Sequence, residues 1–490
     1  MSAIGIDLGT SYSSLARLDE QGRPQVLPNA EGGLRTPSAV YFGPEGVLVG
    51  ATALREGREN PDWLVEHAKR YLGSKNAWEI RGVLYSPVDV AAFLLRKLRT
   101  DAEKQIGPLG PVVITVPVHF TLHQRHLVME AGKQAGLEVV DLVNEPVAAA
   151  LDFIMGDQGI AFSSLAGDQT ILVFDLGGGT FDLALVRYGE EKVQVLAGGG
   201  DLLLGGIDWN QALIDDLAIR FEKKHGIDLR KNRRFLRQLV EKTEMAKRLL
   251  SDPTKPVTTI GLRYEKESET FPIARDEFEG MTLDLVARTR SLMEGLMASA
   301  GLHWHQLDQV LPVGGSTRMP MIRHLLDEIC RGFMPRQIMP NYALSPDLAV
   351  ARGAAIYAGL RDGGAATAGA LPRVRNQRGL GLGVRGDGGR MVNQVLIPPG
   401  TPLPASARVV VASVSENQPR IALKVVEGDE EDYSAEQVVM RCVLGDLPKG
   451  LPIDSLFDVE MTYEPSGLLS VIAKHRDSGR LATTSIVRAE

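Results

Sequence analysis

Two short segments place an acidic residue ahead of small and hydroxyl-bearing turn residues: Asp7-Leu8-Gly9-Thr10-Ser11 and Asp175-Leu176-Gly177-Gly178-Gly179-Thr180. Such turns let backbone N–H groups approach a phosphate with no Cβ in the way, and the hydroxyls add donors. An aspartate at the head of each turn suits a hydrated Mg²⁺, which takes one or two carboxylates and completes its shell with waters and substrate phosphates. The pair reads as a site for a magnesium-bound polyphosphate, with Asp7 and Asp175 on the metal. Gly9, Thr10, Ser11, Gly177, Gly178, Gly179 and Thr180 then face the phosphates. A single Asp-Leu-Gly-Thr is equally well a glycine hairpin closed by an Asx turn; its repetition argues against that reading.

Two further patterns could serve a nucleoside. Glu244, Lys247, Arg248 and Ser251 fall at i, i+3, i+4 and i+7, one face of a helix, where they could hydrogen-bond ribose hydroxyls and an adenine edge. By itself that spacing is better explained as a solvated charged face with an i, i+4 Glu–Arg pair. Gly314-Gly315-Ser316-Thr317-Arg318 follows an apolar strand, and the planar Arg318 guanidinium could stack on a base. An ordinary strand-to-helix turn is the alternative there.

The elements that position these residues are legible from periodicity. Residues 3–18 read AIGIDLGTSYSSLARL and residues 171–186 read ILVFDLGGGTFDLALV, each an apolar strand, a tight turn and a second apolar strand. The aspartates at 7 and 175 are 168 positions apart, too far for a solenoid repeat but right for two homologous lobes. Between them lie a strand near 111–116 and a helix near 122–136; beyond them come a helical tract at 209–251, a strand at 310–313 and helices at 320–329 and 346–360. Strands mixed with helices in this way predict an α/β architecture. A small-residue tract at 362–370 and a polar, basic one at 371–378 read as a linker. After it, segments 409–414, 421–426, 437–444, 457–463 and 468–474 predict a small β-sandwich.

Composition narrows the function classes. A chain of 490 residues exceeds the size of one hydrophobic core, so two or three compact units are expected. With 44% hydrophobic and 23% charged residues it resembles ordinary globular proteins, not disordered, fibrous or membrane ones. Net charge is −7 and basic residues are dispersed, which disfavours nucleic acid or an anionic membrane as the main partner. Cys330 and Cys442 are remote from one another and from any C-x-x-C, so neither a disulfide nor a zinc site is expected. The first residues have no signal-peptide pattern and no apolar run reaches spanning length, so a cytoplasmic location is expected.

Taken in order, D-L-G-T, N-E-P-V-A-A-A, F-D-L-G-G-G-T-F-D, E-x-A-K-R-x-L-S, V-G-G-S-T-R-M-P and P-D-x-A-V-A-R-G-A-A run almost without interruption over residues 4–360. This series resembles the DnaK-like, heat shock protein 70 chaperone family, more than the actins or sugar kinases that share its fold. The resemblance implies a two-lobed actin-like (ribonuclease H-like) ATPase domain at 1–361, with lobes 1–168 and 169–361. A linker at 362–378 and a small all-β sandwich at 379–490 follow. It implies hydrolysis of ATP to ADP and phosphate, with Asp7 and Asp175 serving magnesium. It points to Lys69, in His67-Ala68-Lys69-Arg70, as orienting the attacking water; an ammonium there would stabilise transition-state charge. Pattern alone would place Lys69 on the surface. By the same resemblance Glu145 lies near the attacking water, and Pro146 passes the nucleotide state to the neighbouring domain. Asp182, Gly205, Gly206, Gly314, Gly315, Arg318 and Asp347 complete the cleft, while Glu244, Lys247, Arg248 and Ser251 grip the adenosine.

The β-rich part is similar to the family's peptide-binding sandwich, which implies an extended polypeptide held by Val392, Val414, Ile421 and Leu423. Each of these is, singly, equally well an inward-facing strand residue. A J-domain co-chaperone and a nucleotide exchange factor are the implied partners. Three departures stand out: residues 371–378 are polar and basic where the family has an apolar linker with an acidic end, no helical lid follows the sandwich before Glu490, and Asn393 replaces an apolar groove residue. Gly379-Leu380-Gly381-Leu382-Gly383 imitates a dinucleotide loop but lacks the helix that must follow. The acidic run at 429–432 reads as a solvated loop. The expected function is an ATP-dependent, DnaK-type chaperone; the alternatives are a nucleotide-dependent scaffold for one folded partner and a small-molecule kinase of the same fold.

Overall fold

The computed structural model describes residues 3–156, 168–189, 192–333, 340, 345–363, 371–376, 378–385, 390–434, 437–445, 447 and 449–488. Both aspartate segments fold as antiparallel hairpins. β1 (Ile4–Asp7) pairs with β2 (Tyr12–Leu18), and on its other side runs parallel to β3 (Val112–Val116), which is parallel to β4 (Val139–Asn144). The sheet order is β4-β3-β1-β2, extended past β2 by short strands at Pro24–Val26 and Thr36–Pro37. β5 (Gln169–Leu176) pairs antiparallel with β6 (Phe181–Gly189), which pairs with β7 (Lys192–Asp201). β5 also runs parallel to β8 (Gln309–Val313), giving the order β7-β6-β5-β8. The same arrangement thus occurs twice: a hairpin whose first strand has a parallel neighbour. β3 is buried at every residue and β5 at all but its first, as expected of interior strands covered on both faces.

The helices begin where local chemistry allows. α1 (Glu145–Met155) starts directly after β4 with Pro146 in its first turn, where a missing N–H costs nothing. The helical tract at 209–251 is two helices, α2 (Gly206–His225) and α3 (Arg233–Leu250), because Gly226 at φ 69° closes the first in the left-handed conformation. The Asn232 side chain then caps the second by accepting from Arg234 N and Phe235 N. Trp209, Leu213, Leu217 and Phe221 form the buried stripe of α2 and pack with Phe174 and Phe181 of the second hairpin. α4 (Ala349–Asp362) lies on α1 so closely that a Cβ at Gly353 would collide with the Ala148 backbone.

The chain divides into two compact units, one of Met1–His119 with Val128–Leu371, the other of Phe120–Leu127 with Pro372–Glu490. Among its described residues the second has eight antiparallel strands: β9 (Leu380–Arg385), β10 (Met391–Ile397), β11 (Ala405–Ala412), β12 (Ile421–Glu427), β13 (Val438–Gly445), β14 (Leu456–Tyr463), β15 (Leu469–His475) and β16 (Leu481–Arg488). Their order is β10-β9-β12-β13-β16-β15-β14-β11. The strand expected at 409–414 lies earlier, ending at Ala412, because Ser413 turns the chain by donating to Pro452 O at 2.8 Å and accepting from Ser455 N at 3.0 Å. Two glycines of the dinucleotide-like run sit in β9 for packing reasons: a Cβ at Gly381 would strike Asn393 Oδ1 and one at Gly383 the Tyr433 hydroxyl.

Asn393 is buried and donates to Gly428 O at 3.0 Å and Glu430 O at 3.2 Å, pinning the exposed acidic run 429–432. Of the tract read as a linker, 364–370 and 377 lie outside the described residues. Its end is a fastened strap: Val374 O accepts from Leu403 N at 2.9 Å, and the buried Asn376 side chain donates to Arg378 O at 2.9 Å and accepts from Thr401 N at 2.8 Å. Both cysteines are buried and free. No described helix is long and apolar enough to cross a membrane.

Gly353→Ala tests the α1–α4 contact. Helix propensity alone favours alanine by ~1 kcal/mol, whereas forcing a methyl into a filled contact costs about 1–3 kcal/mol or more. The expected outcome is a lower thermal midpoint; an unchanged or higher one would show that the helices do not touch as described.

Candidate functional site

The two glycine turns meet. A Cβ on Gly178 would collide with Ser11 Oγ, and one on Gly179 with the Thr10 side chain, so only glycine permits this approach. All three glycine carbonyls of the second turn are taken by protein donors. Gly177 O accepts from Gly206 N at 3.0 Å and Ser316 Oγ at 2.8 Å, Gly178 O from Ile207 N at 2.8 Å, and Gly179 O from Arg70 Nε at 2.8 Å. In the first turn Gly9 N donates to Ser13 Oγ at 3.2 Å. The Thr10 hydroxyl is buried and has no hydrogen-bond partner among the described residues. A buried donor without a partner, beside two turns that admit no side chains, fits a phosphate ligand.

Charge gathers at the same place. Lys69, on a 3₁₀ turn that follows left-handed His67, forms an ion pair with Glu145, the first residue of α1; their side chains are 4% and 8% exposed. Thr115 Oγ1 donates to Asp7 at 3.3 Å, and Val118 N donates to Asp182 at 2.7 Å. Burial first, then the Glu145 charge, pushes Asp7 up to about 7 against the opposing pull of Lys69. Asp182 is pushed up to about 7 by the same two causes, and Asp175 is raised well above the usual range by burial, Glu145, Asp182 and Asp7. Burial pulls the Lys69 ammonium down, but Glu145, Asp7 and Asp182 outweigh it and hold Lys69 above the ordinary lysine value. Lys69, with a smaller pull from Arg35 on Asp7, faces Asp7, Glu145, Asp175 and Asp182, so ionising all four carboxyls would leave an excess of negative charge that a further cation would offset. Among the described residues no three His, Cys, Asp or Glu side chains are grouped closely enough to hold a metal by themselves.

The helix face proposed for a nucleoside is knit into the protein at Lys247, while Arg248 stays exposed. Lys247 is buried, donates to Gly206 O at 2.7 Å and pairs with Glu244 at 2.8 Å. Glu244 also accepts from Asn210 at 2.8 Å and Arg248 at 2.7 Å; burial alone would raise its pKa, yet Lys247, Asn210 and Arg248 bring it down to about 2. Ser251 Oγ turns back to Lys247 O at 2.8 Å. Arg318 is held by Asp347 at 2.7 Å, and a Cβ at Gly315 would lie 2.8 Å from Asp347 Oδ1. Gly314 is tighter still, its Cβ position colliding with Leu176 O. A Cβ at Gly205 would lie 2.6 Å from Gly179 N, and one at Gly206 2.9 Å from Lys247 Nζ, so both glycines abut the second turn and α3. Thr180 is buried at the end of that turn, its carbonyl accepting from Gly177 N at 3.0 Å. In the second unit Ile421 belongs to the apolar core with Leu423 packed against it, Val392 is half-buried and Val414 is 78% exposed.

Sequence reasoning missed the fixtures of this site. Arg70, besides reaching Gly179 O, pairs with Asp208 at 2.5 Å, and Asp208 in turn accepts from Gly205 N at 2.7 Å. The available signals were the basic residue next to Lys69 and an acid three positions after Gly205.

Comparison with protein families matches the description "Hsp70 protein" over residues 3–80 and 75–490. The chain belongs to the Hsp70 family. It is 36% identical over 519 residues to the chaperone protein DnaK of Thermus thermophilus, covering 99% of this chain and 80% of that one. Against the chaperone protein DnaK of Thermotoga petrophila it is 36% identical over 491 residues, covering 97% and 79%. This Hsp70 chain is therefore an ATP-dependent chaperone of the DnaK type: it binds and hydrolyses ATP, has the family's actin-like ATPase fold within a mixed α/β structure, and acts on unfolded polypeptide.

The raised carboxylates predict a pH response of the metal- and nucleotide-free Hsp70 chain. Asp7 and Asp182 bind protons at about 7 when folded but near ~4 when unfolded. Their stabilising contribution is complete below the unfolded value and is lost as pH rises through about 7. Asp182→Asn should flatten the fall in thermal midpoint between about pH 4 and 7; an identical slope in both proteins would contradict the assignment.

Proposed function

We propose that the meeting of the two glycine turns is the hydrolytic centre, where Asp7 and Asp175 hold a hydrated Mg²⁺ that neutralises charge developing on the phosphates. Thr10, Ser11, Gly9, Gly177, Gly178, Gly179 and Thr180 bind the phosphate tail. Lys69 orients the attacking water and stabilises transition-state charge, with Glu145 fixing its ammonium and Thr180 completing the positioning. The observation that carries this reading is the buried Lys69–Glu145 pair, whose two charges act on both Asp7 and Asp175. Glu244, Lys247, Arg248, Ser251, Gly205, Gly206, Gly314, Gly315, Arg318 and Asp347 hold the nucleoside end.

In the same reading residues 1–361 form two lobes, 362–378 link them to a β-sandwich at 379–490, and Val392, Val414, Ile421 and Leu423 touch an extended peptide there. The exposed Val414 and the core-packed Ile421 are the two extremes of that set, and the exposed one is the better placed to meet a ligand first. The protein works in the cytoplasm with a J-domain partner and an exchange factor.

Lys69→Ala is expected to retain ATP binding and to lose hydrolysis by ~10²–10³-fold, the scale for removing one transition-state donor. Since Lys69 also neutralises buried Glu145, the double change Lys69→Met/Glu145→Gln, which leaves no unpaired charge, should be folded and equally slow. Single-turnover hydrolysis beside equilibrium binding checks this; parallel loss of binding and turnover would refute the role of Lys69.

A further inference from the structure

Beyond the groups just assigned, one arginine stands at the nucleoside end with two built contacts and no role. Arg35 Nη1 pairs with Asp347 Oδ1 at 2.8 Å, while Arg318 occupies the other oxygen of the same carboxylate at 2.7 Å. The Arg35 guanidinium carbon also lies 4.7 Å from the centre of the Tyr12 ring. Arg248 approaches that ring at 5.9 Å, donates to the Tyr12 hydroxyl at 3.1 Å and pairs with Glu244. The result is a continuous series, Glu244, Arg248, Tyr12, Arg35, Asp347, Arg318. It joins residues that precede position 40 to residues that follow position 240.

The placement of Arg35 is fixed from its backbone outward. Asn29 Nδ2 donates to Arg35 O at 3.1 Å and to Thr36 Oγ1 at 3.1 Å, and the next residues pair with β2, Tyr12 opposite Pro37. The side chains of Arg35 and Asp347 are 34% and 14% exposed, against 53% and 55% for Arg318 and Arg248. The Arg35–Asp347 link is the more shielded one and is screened less by water and salt. Arg318 and Arg248 are the exposed ends, and each would give up its carboxylate partner to turn toward a base. When Arg318 does so, Asp347 still needs a counter-charge, and Arg35 supplies it. A planar guanidinium can pair with a carboxylate and lie over an aromatic ring at once, which an ammonium does poorly.

We infer that Arg35 is a positioning residue for the bound nucleotide: by tying Asp347 to Tyr12 across the mouth of the cleft, it sets how fast the nucleoside end lets go. The inference rests on the proposed nucleotide site and goes beyond it by naming a residue that contacts no phosphate or metal ligand in that proposal. Arg35→Ala in the full chain should release ADP bearing a ribose fluorophore about tenfold faster, as loss of an ion pair together with a cation–π contact implies. Arg35→Lys should fall between the two. Single-turnover hydrolysis at saturating ATP should stay within about twofold, which separates positioning of the base from damage to the fold or to the chemistry. Equal release rates in the parent and Arg35→Ala overturn the inference, as does a joint fall of hydrolysis and retention. A parent protein that binds no labelled ADP overturns the proposed site as well.

Discussion

A single buried ammonium, Lys69, stands among Asp7, Glu145, Asp175 and Asp182, and the rest of the nucleotide unit is arranged around that imbalance. Burial first, and then the charge of Glu145, holds protons on Asp7 and Asp182 to about 7 when nothing else is bound. Once these carboxyls ionise, a polyphosphate alone would meet repulsion, whereas a divalent cation arriving with it would take the place of the protons. In the proposed site this is what would favour a metal–nucleotide complex, with no cage of protein ligands required.

The scaffold keeps the deficit in place. Asp7 is the last residue and Asp175 the last but one of an interior strand, and Glu145 is the first residue of α1 directly after β4. α4 lies against both: a Cβ at Gly5 in β1 would collide with Ala355, and one at Gly353 with Ala148 in α1. The helix that positions Glu145 and the strand that positions Asp7 therefore share one tightly packed neighbour. Movement of either would have to displace α4, which makes the carboxylate geometry stiff.

Much of this was legible in the chain itself. The two hairpins announced themselves because strand alternation, the Asp-Leu-Gly head and the small turn residues all agree locally. The helix carrying Glu244 to Ser251 was equally plain, but its burial was not, since that depends on Gly206 and Asn210 reaching it from another helix. Lys69 could be found only through resemblance: its partner is 76 positions away, and its place depends on a left-handed His67 that no periodicity reveals. Gly381 and Gly383 looked like a phosphate loop because glycine spacing does not distinguish close approach to a ligand from close approach of Asn393 and Tyr433. Arg35 left no local signal at all, its two partners lying in separate parts of the chain.

The most direct test of the charge deficit is calorimetric titration of ATP into the protein with magnesium and again with a chelator, repeated for Asp7→Asn/Asp175→Asn. Binding by the parent should depend strongly on the metal, and the neutralised variant should bind metal-free ATP at least as well as the parent does. Equal affinity of the parent with and without magnesium would contradict the account.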